Sequence, residues 1–172
     1  NYCHVPPVHF YGRPKQTVFD WIKATSMAIV DRHFTDFCDG IFANSEFTRQ
    51  RVDRHYRRDA PVLHPPVRVE EFSIRDPDPE PYFVMIARLV PMKRAELVAR
   101  AFANRTDVSL KILGTGPLKE ACESYPNVTT YQGLTDEAVE EIVEGSIGGI
   151  AFAEKEHCGL TPKEFQAAGK PV

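Results

Sequence analysis

The sequence predicts an α/β fold, a parallel sheet with helices on both faces, in the second half of the chain. From Tyr82 onward, short apolar runs alternate with segments of helical pattern, the signature of βαβ units. The runs Phe83-Val84-Met85-Ile86-Ala87 and Ile150-Ala151-Phe152 are apolar without alternation, as in strands covered by helices on both sides. Together these observations describe a Rossmann-like sheet.

Strands are expected at 82–87, 109–113, 128–131 and 149–152. Helices are expected at about 93–104, 118–124 and 136–144, the last between Thr135 as N-cap and Gly145 as C-cap, and a fourth begins after Thr161. Ahead of the sheet, the alternate prolines of Arg75-Asp76-Pro77-Asp78-Pro79-Glu80-Pro81 favour an extended connection, which reads as a linker. Upstream, a long helix at about 14–37 carries Val18, Ile22, Ile29 and Phe34 near helical spacing. A short strand at 41–43, a helix opened by Ser45 and a short strand at Val62-Leu63 follow. Residues 1–75 are too few to close a sheet alone, so they read as the tail of a preceding domain with its linker, and residues 76–172 as a ligand-binding domain. The chain opens at Asn1 and stops at Gly169-Lys170-Pro171-Val172, where another strand is due, so both ends read as cuts in a longer protein.

Composition narrows the classes. A hydrophobic content of 42% suits a globular protein. A net charge of -3 argues against nucleic acid as a partner, because phosphate contacts call for a basic surface. Cys3, Cys38, Cys122 and Cys158 fall in no zinc-like or CxxC spacing, and the chain needs no disulfide framework at this size, so they read as reduced and cytosolic. No apolar run approaches the roughly 20 residues of a membrane span, and no leader opens the chain.

Three segments can carry chemistry. In Glu156-His157-Cys158-Gly159-Leu160-Thr161-Pro162-Lys163-Glu164, two glutamates flank a glycine-containing turn at the mouth of a helix, at the carboxyl end of the sheet where open α/β sheets bind ligands. Free N–H groups there favour a phosphate, and carboxylates favour sugar hydroxyls. The same residues also read as a capping box, with Thr161 at N-cap, Pro162 at the first helical position and Glu164 reaching back. Arg88 and Lys93 stand five apart on the loop after the first strand, where they converge on a diphosphate or are simply solvated. In Leu113-Gly114-Thr115-Gly116-Pro117, the glycines let backbone approach a ligand closely, but Lys119 stands where a dinucleotide fingerprint has its third glycine. The arginines 49, 51, 54, 57 and 58 form a basic helix with Asp53 and Asp59 interspersed, which reads as a solvated face. His157 and Cys158 lack partners at metal-ligand or nucleophile–base spacing, and no metal site is expected.

In order and spacing, these segments resemble the retaining glycosyltransferases of GT-B architecture, the group of bacterial and archaeal mannosyltransferases and of sucrose and glycogen synthases. The resemblance runs through Phe42-Ala43-Asn44-Ser45, Leu63-His64-Pro65-Pro66-Val67, Ala87 to Lys93, Leu113 to Leu118, Val128 to Gly133, Glu156 to Glu164 and Ala168 to Val172. Tyr2-Cys3-His4-Val5-Pro6-Pro7 resembles a loop of the acceptor-side domain.

The resemblance implies the donor-binding half of such an enzyme, a role without cofactor or metal. Arg88 and Lys93 would hold the donor diphosphate and stabilise its charge as the sugar departs. Glu156 would contact the sugar hydroxyls and Glu164 the ribose. Backbone of Cys158, Gly159, Leu160 and Thr161 would lie along sugar and phosphates, and the base near Gln132, Gly133 and Leu134. Cys158 stands where the family often has Phe. The implied donor is GDP-mannose or a UDP-sugar, and the acceptor a saccharide or lipid-linked. The implied place is cytoplasmic, with peripheral contact at the inner membrane face through a domain outside this chain. Since the acceptor-side histidine also lies outside it, no transfer is expected from this chain alone. The alternative is a nucleotide-binding Rossmann module without transfer chemistry.

Overall fold

The computed structural model describes residues 2–3, 6–7, 11, 17–67, 69–72, 79–154, 156 and 158–172. The chain divides into two compact units, Asn1–Pro66 and Val67–Val172. The expected boundary after residue 75 falls within 73–78, outside the described residues.

In the first unit, β1 (Tyr2–Cys3) pairs in parallel with β2 (Phe42–Ala43), and Ala43 also bridges to Val62. Helix α1 (Val18–Asp36) starts where the Thr17 hydroxyl accepts the Asp20 N–H at 3.0 Å, and α2 (Glu46–Tyr56) where Ser45 accepts the Thr48 N–H at 3.2 Å. Ile41, Ala43, Val52, Tyr56 and Ala60 form the core. Asp31 ties α1 to it by accepting from the Tyr56 hydroxyl at 2.9 Å and the Tyr11 hydroxyl at 3.0 Å. The helical spacing of Val18, Ile22, Ile29 and Phe34 does not mark a buried face. Val18 is 77% and Phe34 67% exposed, while the residues α1 buries are Ala24 and Thr35. The basic helix is only partly a solvated face. Arg49 pairs with Glu46, but beyond the helix Arg58 donates to the Thr35 and Cys38 carbonyls and so caps the end of α1. No disulfide is formed among the four cysteines, and among the described residues no helix is long and apolar enough to cross a membrane.

The second unit is the expected parallel sheet. Strands β3 (Tyr82–Ile86), β4 (Ser109–Leu113), β5 (Val128–Tyr131) and β6 (Gly148–Gly149) lie in the order β5-β4-β3-β6, all parallel. The intervening helices are α3 (Ala95–Phe102), α4 (Lys119–Glu123) and α5 (Asp136–Glu144), with α6 (Leu160–Ala167) last. Alternation along β3 sorts its side chains onto two cores. Met85 packs with Leu110, Ile112, Val98 and Cys122 under α3 and α4, while Tyr82 and Val84 pack with Val143 and Phe165 under α5 and α6. Covered on both faces, β3 has no need of polar alternation. The chain steps outward from β3 through β4 to β5, then returns to the other side of β3 for β6. That reversal puts a topological switch point between β3 and β6, where open sheets leave a crevice beyond the carboxyl ends of their strands.

Several boundaries differ from expectation for physical reasons. The helix expected from Lys93 begins at Ala95, after a single 3-10 turn over Pro91–Lys93 that ends at Arg94 in the left-handed region, φ 54°. The last strand is two residues long. Beyond Ile150, whose N–H reaches the Val84 carbonyl at 2.8 Å, the next bond runs from the Glu154 N–H to the Met92 carbonyl at 2.8 Å, so a loop rather than β3 takes up the chain. Thr135 caps α5 as expected, accepting the Ala138 N–H at 3.3 Å. Gly145 ends that helix in right-handed conformation, however. It is small because a Cβ would sit 2.6 Å from the Tyr82 hydroxyl, which donates to the Ile142 carbonyl and is pushed up to about 12 chiefly by burial.

The capping box does not form. Helix α6 has Gly159 at its N-cap with no side-chain cap, Thr161 is its second residue, and Glu164 lies in the second turn, past the reach of a reciprocal cap. Tertiary packing holds the helix in place. Phe165, fully buried, lies against Gly149 so closely that a Cβ there would come within 2.3 Å of its ring. Phe165→Ala should therefore lower stability by about 3–5 kcal/mol, and Gly149→Ala by about 1–3 kcal/mol through overpacking. Denaturant titration checks both, and unchanged midpoints would contradict this anchoring of α6.

Candidate functional site

All of the proposed binding residues of the second unit lie on loops at the carboxyl edge of its sheet or on the helix that follows. The loop after β3 is the most tightly built. The Ala87 N–H donates to the Leu113 carbonyl at 3.1 Å, Leu89 N–H to Thr115 at 2.8 Å and Leu118 N–H to Leu89 at 3.1 Å, with Leu89 wholly buried. This stitching requires Gly114 and Gly116. Both have φ 154°, and a Cβ would stand 2.0 Å from the Ala87 oxygen and 2.4 Å from the Leu89 oxygen. The bare side of these glycines thus faces protein backbone, and what they position is the loop that carries Arg88 and Lys93.

Past Val90 the 3-10 turn closes with the Lys93 N–H on the Val90 carbonyl at 2.9 Å and the Arg94 N–H on Pro91 at 3.0 Å. There the loops after β3 and β6 meet across the switch point. Lys93 Nζ donates to Glu156 Oε2 at 2.5 Å. Beside it Arg94 Nη2 lies 3.5 Å from Glu154 Oε2, and the Arg94 guanidinium stands 5.7 Å from the centre of the Phe152 ring. Lys93 is 24% and Glu156 42% exposed, so the pair contributes at most about 1 kcal/mol to stability. For Arg94, a left-handed backbone costs a residue with a Cβ about 1–2 kcal/mol. An exposed ion pair and a cation–π contact return about the same.

The structure therefore brings Lys93 and Glu156 into direct contact. Arg88 sits exposed on the same loop and pairs with no carboxylate among the described residues. Gln132, Gly133 and Leu134 follow β5, two strands away along the same edge, with Gly133 in the left-handed region at φ 65° and open space around it. Cys158, Gly159, Leu160 and Thr161 form the entry to α6, where Cys158 Sγ lies 4.0 Å from Lys163 Nζ. Glu164 is half-buried on α6. His157 and the His4-Val5 part of the first loop lie outside the described residues. Arg94, Glu154 and Phe152 were not foreseen as part of this arrangement. A cation directly after Lys93 was the visible signal, but arginine does not announce a left-handed backbone.

Residues 67–172 match the family described as Glycosyl transferases group 1. The chain belongs to this family. No curated relative matches it. Solved structures share its architecture, the α/β GT-B fold. Over 99% of this chain and 48% of the other, the group 1 chain is similar to a sucrose-phosphate synthase from Thermosynechococcus elongatus, at 16% identity and a TM-score of 0.76. It is similar to the Anabaena protein HepE, solved in complex with UDP-glucose, over 86% of this chain and 48% of that one, at 14% identity and a TM-score of 0.71. A TarM variant of S. aureus, in complex with fondaparinux, alpha-GlcNAc-glycerol and UDP, matches over 86% of this chain and 32% of its own, at 16% identity and a TM-score of 0.67. The chain thus spans half or less of the length of these structures.

Stability separates the glycines from the ion pair. Gly114→Ala should cost about 1–3 kcal/mol, because backbone rather than a flexible side chain meets the new Cβ. Glu156→Gln should cost less than about 1 kcal/mol. Thermal unfolding of both variants checks this, and the reverse order would mean that the ion pair, not the glycine packing, holds the edge together.

Proposed function

We propose that this group 1 glycosyl transferase chain binds the nucleoside-diphosphate sugar of a retaining hexosyltransferase. Mannose from GDP-mannose is the favoured donor, a UDP-sugar the next, and a saccharide or lipid-linked molecule the acceptor. The observation that carries the reading is the contact between Lys93 and Glu156 at the switch point. A lysine ammonium has three donors, so Lys93 can hold Glu156 with one and offer the others to a diphosphate. Arg88, exposed on the same loop, adds a planar fork suited to phosphate oxygens. Cation and carboxylate side by side match a ligand that is anionic at one end and rich in hydroxyls at the other.

In this reading Arg88 and Lys93 neutralise charge that grows on the diphosphate as the bond to the anomeric carbon breaks. Electrostatics of the leaving group then supply the acceleration without a cofactor. Glu156 accepts from sugar hydroxyls. Glu164, half-buried in the second turn of α6, would accept from the ribose diol. The base lies toward Gln132, Gly133 and Leu134. UDP-glucose in the HepE complex and UDP in the TarM complex support the ligand class, while retention and mannose rest on the sequence resemblance.

GDP or UDP should raise the melting temperature and NAD should not, since Lys119 takes the place of the third fingerprint glycine. Ligand at ten times its dissociation constant adds about 1.4 kcal/mol. Lys93→Ala and Arg88→Ala should each weaken diphosphate binding by about 1.5–3 kcal/mol, roughly 10- to 150-fold by calorimetry. Stabilisation by NAD alone, or unchanged affinity in both variants, would overturn the reading.

A further inference from the structure

We propose that Arg94 is a positioning residue of the donor site, clamping the loop after β6 through Glu154 and Phe152 so that Glu156 reaches Lys93. The proposal rests on the donor-site reading above for its purpose, but its geometry stands in the protein without ligand.

Arg94 is one of two non-glycine residues at positive φ among the described residues. The other, Arg57, closes α2 at its C-cap, a place where left-handed residues are ordinary. Arg94 closes the 3-10 turn in a similar way, its N–H on the Pro91 carbonyl, and is at the same time the residue from which α3 starts. Strained non-glycine backbone of this kind collects at ligand sites, where surrounding contacts over-determine it. Here those contacts can be named. Three alternate positions of one loop, Phe152, Glu154 and Glu156, meet two consecutive cations: Arg94 stands over Phe152 and pairs with Glu154, and Lys93 pairs with Glu156. The Glu154 N–H on the Met92 carbonyl at 2.8 Å sets the register between the two loops.

The strain at Arg94 and the return from its two exposed contacts are of the same order, so the residue adds little net stability. What it determines is where Glu156 stands. A glycine would hold the same backbone without strain but would lack the contacts to Glu154 and Phe152. Arginine is suited to the task because its planar group can lie over a ring and pair at its edge at once.

Arg94→Gly is the test, with Arg94→Asn, whose side chain tolerates the left-handed region, as a second variant. Without ligand, hydrogen exchange at the Glu154 amide should quicken about tenfold while amides of β3 and α3 are unaffected, as for a local opening. Unchanged exchange at Glu154 in both variants would overturn the proposal. With UDP-glucose and GDP-mannose as probes, whichever the unaltered protein binds should bind the variants about tenfold more weakly, the scale of one lost charge-assisted hydrogen bond. If Arg94 acts through Glu156, then Arg94→Gly should add less than about twofold to the loss already caused by Glu156→Gln. Losses that multiply would contradict it. Failure of the unaltered protein to bind either probe would count against the donor-site reading, whereas the exchange result at Glu154 decides the clamp by itself.

Discussion

Much of the carboxyl edge depends on one steric constraint, the approach of Gly114 and Gly116 to the Ala87 and Leu89 carbonyls. Parallel strands leave their ends to diverge, and the loops beyond them have no ladder to hold them. Here the missing Cβ atoms let the loop after β4 lie against the loop after β3, and backbone bonds from Leu89 to Thr115 and from Leu118 to Leu89 close the seam. Leu89 fills the space beneath. Arg88, Lys93 and Arg94 therefore leave a rigid base, and charged side chains on a loop acquire a defined place.

A second close approach does the same for the other wall. Gly149 admits the Phe165 ring, which draws α6 against β6, and the loop between them must span from Gly149 to Leu160 over the switch point. Among the described residues, this loop meets its neighbour through the Glu154 N–H on the Met92 carbonyl, the Arg94–Phe152 contact and two partly exposed ion pairs. The arrangement suits a binding site: one wall carries cations for a charged group, and the other carries carboxylates for hydroxyls.

Much of this was legible in the sequence, for reasons that can be stated residue by residue. The unbroken apolar run from Phe83 to Ala87 marks a two-sided strand because no polar alternation is needed there, and Thr135 marks the start of α5 because a hydroxyl just ahead of a helical pattern can accept a first-turn N–H. Arg88 and Lys93 are marked by their place on the loop after a strand, and Glu156 by its pairing with Glu164 across a glycine-containing turn at the mouth of a helix. Other features are hidden for equally physical reasons. The Thr-Pro-Lys-Glu pattern at 161–164 satisfies every local rule of a capping box, yet the helix starts earlier, at Leu160 with Gly159 as its N-cap. Apolar residues at helical spacing on α1 do not say whether a partner surface covers them. The partner that Arg94 meets from its left-handed position, Glu154, stands sixty residues away, and no local window contains that contact.

The central claim is that the ligand site lies at the switch point between β3 and β6. Amide chemical-shift mapping with a nucleoside diphosphate tests it most directly. The largest changes should cluster at Arg88 to Arg94 and at Glu154 to Thr161, with smaller ones at Gln132 to Leu134, and the opposite edge of the sheet should stay silent. Changes concentrated at that opposite edge, near Tyr82, Ser109 and Val128, would contradict the account.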